Sequence, residues 1–85
     1  MVFFRTFPNI IGTANISSLV SNMSRGVCTL VFNNGSGYNI NASVSNWKVF
    51  LNGMEESFPV TLSAGLHIVK VTKWDDNTAI VEITG

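Results

Sequence analysis

The chain has 85 residues, 46% hydrophobic and 11% aromatic but only 12% charged, and five Lys plus Arg balance five Asp plus Glu. A length of this order supports one small domain, here residues 1–85. The neutral balance leaves no basic stripe to displace counterions from nucleic acid, and the hydrophobicity is too high for a disordered tail. A lone cysteine, Cys28, rules out a disulfide framework.

No apolar run approaches the roughly 20 residues that a membrane-spanning helix needs, so membrane insertion is not expected. The start, Met1-Val2-Phe3-Phe4-Arg5-Thr6-Phe7-Pro8, carries its charge after the apolar residues, the wrong order for a signal peptide. Residues 1–25 read as an N-terminal arm or strand followed by a weakly specified segment, ahead of a β core over residues 26–85. Val2 to Phe7 suits a strand stopped by Pro8. Ile16, Leu19, Val20 and Met23 then stand at helical spacing, with Gly26 as a C-terminal stop. The intervening Ser17, Ser18, Ser21, Asn22 and Ser24 compete for the backbone, so a short helix and an irregular strand are equally compatible.

From residue 26 onward the period is two. Residues 27–33 are apolar or β-branched on both faces, and the turn formers Asn34-Gly35-Ser36-Gly37 follow. Tyr38, Ile40, Ala42 and Val44 alternate with Asn39, Asn41, Ser43 and Ser45, so a hairpin between 27–33 and 38–44 is expected, its register unassigned. Trp47 to Leu51 reads as a strand ending at Asn52-Gly53, a strong two-residue hairpin signal. Phe58 to Leu62 regains strand character, and Pro59 restricts it to an edge or to the strand's start. Ser63-Ala64-Gly65 turns the chain. Residues 66–74 and 78–84 form the best-specified hairpin. A loop of Asp75-Asp76-Asn77 sets Trp74 opposite Thr78, Lys70 opposite Glu82, Val71 opposite Val81 and Val69 opposite Ile83. A Lys70–Glu82 ion pair would guard that register, since a one-residue slip sends the valines to the wrong face. The fold expected is all-β, a small antiparallel sandwich or partly closed barrel of about six or seven strands.

Candidate chemistry is sparse. His67 is the one histidine; it lies mid-strand with no Ser or Cys elbow beside it, and it reads as a half-exposed strand residue. Cys28, in an apolar strand, reads as a buried small hydrophobe. Glu55-Glu56 and Asp75-Asp76 are adjacent on extended chain, where neighbouring side chains diverge, so neither pair converges for acid–base work. Asp75-Asp76-Asn77 lacks the spaced ligands of a calcium loop. Asn34-Gly35-Ser36-Gly37 lacks the Lys-Ser/Thr of a phosphate cradle. Four Asn-x-Ser triplets, at Asn15, Asn22, Asn34 and Asn41, arise readily in a chain this rich in Asn and Ser. No catalytic, cofactor-binding or metal-binding residues are assigned, and an enzyme is not expected.

The aromatic residues carry the functional expectation. Asn, Ser and Thr make up 26 of the 85 residues, so solubility rests on amides and hydroxyls and little charge repulsion keeps copies apart. Phe3, Phe4, Phe7, Trp47 and Trp74 are therefore read as interface residues of a non-enzymatic assembly subunit that meets a protein partner or itself through sheet edges and aromatic contacts. The alternative is a carbohydrate-binding module that stacks a glycan on Tyr38, Trp47 and Trp74.

Val49-Phe50-Leu51-Asn52-Gly53, Pro59, Leu62, Ala64-Gly65, His67, Val69 and Val71 resemble the PEGA-type β module and other immunoglobulin-like modules over residues 49–74. The Pro-Glu-Gly-Ala signature is absent, and Phe58 stands where a small residue is usual. That resemblance implies a surface or scaffold interaction module without catalysis. In size, low charge and Asn/Ser/Thr content the chain is also similar to small structural proteins of bacteriophage particles, such as capsid decoration or fibre-type subunits. This implies a location on a virion or extracellular particle surface.

Overall fold

The computed structural model describes residues 12–85 in full and the backbone of residues 2–7. The described elements are β1 (Val2–Phe7), β2 (Thr13–Asn15), α1 (Ile16–Leu19), β3 (Gly26–Asn34), β4 (Tyr38–Asn41), β5 (Lys48–Leu51), β6 (Met54–Glu56), β7 (Val60–Leu62), β8 (Gly65–Asp75) and β9 (Thr78–Thr84). They form a large sheet in the order β1-β3-β8-β9-β5-β6 and a small one in the order β2-β4-β7, packed face to face as a β-sandwich. The strands outnumber the six or seven expected. The sheets are also mixed rather than antiparallel, because β1–β3, β2–β4 and β5–β9 pair in parallel.

The core follows from alternation. Cys28, Leu30 and Phe32 of β3, Val69 and Val71 of β8, Val81 and Ile83 of β9 and Val49 of β5 all turn inward and are buried. Tyr38 and Ile40 of β4 with Val60 and Leu62 of β7 close the core from the small sheet. At about 25 cal/mol per Å2, each such aliphatic side chain contributes roughly 1.5–3 kcal/mol of burial free energy.

The β8–β9 register is the one the alternation dictates: Lys70 faces Glu82, Val71 faces Val81 and Val69 faces Ile83. Nearer the turn it shifts, so Asp75 rather than Trp74 meets Thr78, and Trp74 sits at a bulge. The cause is local: the Asp75 carboxylate accepts the Asn77 backbone N–H at 2.8 Å, which closes a turn tighter than three free loop residues would. Asn52-Gly53 joins β5 to β6 as expected. Both residues have positive φ, 50° and 87°, as a type I′ turn requires. β7 begins directly after Pro59 and lies at an edge of the small sheet.

The expected 27–44 hairpin does not form. β3 pairs with β1 and β8, β4 pairs with β2 and β7, and the chain between them passes from one sheet to the other. The apolar faces of these two strands meet across the core instead of lying side by side, and the Phe32 and Tyr38 ring centroids are 5.7 Å apart. Only one face of β3 meets the core: Cys28, Leu30 and Phe32 are buried, while Val27, Thr29 and Val31 lie half-buried on the outer face of the large sheet. The Asn34 side-chain amide holds the corner by donating to the Ser36 carbonyl at 2.9 Å.

Between β2 and β3 the helical spacing is realised, but briefly. Ile16, Val20 and Met23 are fully buried, yet α1 is only four residues long. The Ser17 hydroxyl donates to the Asn15 side chain and accepts the Ser43 N–H at 3.0 Å, so it ties the turn to the segment after β4 rather than extending the helix. Gly26 is not a helix stop. It opens β3 at φ 132°.

At the N-terminus, β1 runs parallel to β3 with Phe3 level with Cys28 and Phe7 level with Phe32. The partner contact expected of Phe3, Phe4 and Phe7 falls on side chains outside the described residues.

Candidate functional site

Among the described residues three places hold chemistry that core packing does not use up. The first is the outer face of the large sheet. Residues 66, 68, 70 and 72 of β8 alternate with the buried set and so turn away from the small sheet. Leu66 is 57% exposed, Ile68 43% and, at the bulge, Trp74 48%. Val27 and Val31 of β3, Ile80 of β9 and Phe50 of β5 are half-buried beside them. Cross-strand register arranges this face in rows. Thr29, Lys70, Glu82 and Phe50 form one, and Val31, Ile68 and Thr84 the next. A hollow of about 390 Å3 opens beside them, lined by Phe50, Gly53, Ile80, Glu82, Ile83 and Thr84.

Lys70 and Glu82 stand opposite each other, but the expected ion pair does not close. Among the described residues the ion pairs are Lys48–Glu55 at 4.0 Å and Lys73–Asp76 at 3.2 Å. Both Lys70 and Glu82 are exposed, and water holds the two charges apart at little cost.

The second place is a buried lysine. Lys73 is 4% exposed, and its Nζ donates to the Val20 carbonyl at 3.3 Å, lies 3.2 Å from the Asp76 carboxylate and sits 5.9 Å from the Trp47 ring centroid. The Trp47 indole N–H donates in turn to the Asp76 backbone carbonyl at 3.4 Å. These contacts join the end of α1, the entry to β5 and the β8–β9 turn. A hollow of about 330 Å3 above them is lined by Ser17, Ser18, Ser21 and Ser43 together with Trp47, Lys73 and Asp76. Sequence reasoning missed Lys73. The signal was present, because continuing the inward set Val69, Val71 by one step lands on residue 73.

The third place is His67, which the same alternation puts inside, at 5% exposure, and not half-exposed as expected. Its Nε2 lies 2.9 Å from the Ser63 carbonyl, an acceptor, so Nε2 carries the proton. Nδ1 is then a buried acceptor with no partner, as the Tyr38 hydroxyl is a buried group with none. The Tyr38 and His67 rings meet edge to face at 6.1 Å. Burial pushes the Tyr38 phenol above its ordinary value. Cys28, fully buried, fills core volume.

The sequence-predicted sites separate accordingly. Tyr38 and Trp47 are 3% and 4% exposed, so neither offers a ring face to a sugar, and the stacking surface of Tyr38, Trp47 and Trp74 is not assembled. Trp47 shares the inward register of Val49. Trp74 alone of the three is at the surface. Among the described residues no three His, Cys, Asp or Glu side chains gather as a metal cluster would require, and no helix is long and apolar enough to cross a membrane. Compared with known protein families, curated proteins and solved structures, the chain matches none of them.

Proposed function

We infer that the chain is a non-enzymatic assembly module which packs against further copies of itself through the outer face of its large sheet. The observation that carries this reading is the exposed apolar surface of Leu66 and Ile68 with half-buried Val31 beside them, on a sheet whose other face is already filled by the core; Trp74 lies further along the same strand, beyond Lys70 and Thr72. Contiguous apolar surface of this kind marks association sites, and the chain's zero net charge adds no long-range repulsion to oppose them. The hydroxyl- and amide-rich remainder suits a repeated subunit of a virion or surface particle, where many copies lie close together.

Sedimentation velocity on the full chain tests this. Self-association in the micromolar range is expected, weakened by Leu66→Ser and Ile68→Ser without loss of β-sheet circular dichroism. A single monomeric species at every concentration would refute it.

A further inference from the structure

We propose that the outer face of the large sheet is an isologous interface, and that its occupant is a second copy of this chain related by a two-fold axis running along the strands between β8 and β9. The proposal deepens the assembly reading and rests on it.

Lys70 and Glu82 lie side by side in one row, exposed, opposite in sign and, among the described residues, not paired with each other. Turn a second copy by 180° about the line midway between their strands, and β8 covers β9. Lys70 then stands over Glu82 of the second copy, and Glu82 over Lys70 of the second copy, so one symmetric operation satisfies both charges. An axis across the strands would instead set Lys70 over Lys70. An isologous contact requires this self-complementarity.

The neighbouring row agrees. The same operation carries Ile68 over Thr84 of the second copy and Val31 further out, above the hollow bounded by Phe50, Gly53, Glu82 and Thr84. Ile68 of β8 and Val31 of β3 thus meet the rim and the hollow at β9 and β5.

The size fits as well. The six strands are 6, 9, 11, 7, 4 and 3 residues long in sheet order, so at ~3.3 Å per residue and ~4.8 Å between strands the sheet face covers ~630 Å2. That lies at the lower end of the ~600–1,000 Å2 that each partner commits to a stable interface. Two sheets stacked with strands aligned are an established mode of β packing.

Charge reversal with mixing tests this directly. Lys70→Glu and Glu82→Lys, made separately in the full chain, each set like charges against each other twice in the dimer. Each is expected to weaken self-association at least ~30-fold by sedimentation equilibrium. An equimolar mixture of the two variants pairs Glu with Lys at both contacts, so it should regain the wild-type affinity as a heterodimer. The double reversal in one chain should also associate like wild type, and circular dichroism checks that every variant folds. If wild type associates but the single reversals leave its affinity unchanged, or the mixture stays as weak as its parts, this interface is wrong and the assembly reading stands on another surface. If wild type never leaves the monomer, the assembly reading fails with it.

Discussion

Removing the carboxylate of Asp76 should damage the fold more than removing the buried lysine that it neutralises. The asymmetry follows from where the two charges sit. Lys73 has a side chain only 3% exposed, while Asp76 has one 79% exposed, at 3.2 Å. Asp76→Ala therefore strands an ammonium inside the protein, whereas Lys73→Met leaves a carboxylate that water can hold. Two unit charges 3.2 Å apart attract by ~1 kcal/mol in water and by ~5 kcal/mol at an effective dielectric of ~20. The exposure of Asp76 places this pair near the low end, consistent with the ~1.5–3 kcal/mol typical of a charge-assisted hydrogen bond. Asp76→Ala should thus cost ~2 kcal/mol, a fall in Tm of roughly 8–16 °C for a domain of this size. The Trp47–Asp76 contact survives the change because its acceptor is the backbone carbonyl. Lys73→Met forfeits the pair, the bond to the Val20 carbonyl and the contact over Trp47. In return it removes the several kcal/mol cost of desolvating an ammonium, for a net effect within ~1 kcal/mol of zero. In the Lys73→Met background Asp76→Ala should then be silent. Urea unfolding followed by far-ultraviolet circular dichroism measures all corners of this cycle. A loss above ~3 kcal/mol for Lys73→Met, or equal cost of Asp76→Ala in both backgrounds, would refute the reasoning.

Tyr38→Phe should stabilise the protein by ~1 kcal/mol at neutral pH, since the buried hydroxyl it removes has no partner. With its phenol raised above the ordinary value, folded Tyr38 keeps its proton after the unfolded chain begins to lose it. Wild-type stability should fall as pH rises through ~10 and beyond, and the Phe variant should lack that part of the fall. Cys28, at 0% exposure, should react with thiol reagents only as fast as the chain opens, and at once in denaturant. Asn52→Ala should cost ~1–2 kcal/mol by urea unfolding: its side chain bonds both the N–H and the carbonyl of Gly85 at 3.3 Å, and its φ of 50° suits Asn better than Ala. A change below a few tenths would show that clamp to be idle.

The sequence was legible wherever a strand's two faces differ in chemistry. The alternation of Val69, Val71, Val81 and Ile83 with Lys70 and Glu82 admits one register, and that register forms. Asn52-Gly53 was legible because few residue pairs accept positive φ twice. Partner choice was not. Residues 27–33 and 38–44 each carry an apolar face, and a Gly-rich turn between them says that the chain reverses without saying whether it stays in the same sheet. Parallel pairings such as β5 with β9 leave no local signal at all, since no turn joins the two strands. The site showed the same division. Alternation carried far enough would have placed His67, Lys73 and Trp47 inside. The contacts of Lys73 with Val20 and Trp47 depend on segments distant in sequence, which no spacing rule brings together.

The distribution of the few charges bears on function more than their scarcity. Among the described charged side chains Lys73 is consumed in the interior, while Lys48, Glu55, Lys70 and Glu82 fall on the outer face of the large sheet in balanced sign. Four charges among Leu66, Ile68, Val31, Ile80 and Phe50 are too many for a core and too few for an ordinary wet face. A partner gains affinity there from the apolar groups, but its orientation must answer to the charges, because misplacing either sign over its like costs more than one apolar contact returns. A face so composed accepts few orientations of any occupant, and a second copy in the arrangement proposed satisfies the central pair of charges while asking for no residue that the chain does not already have.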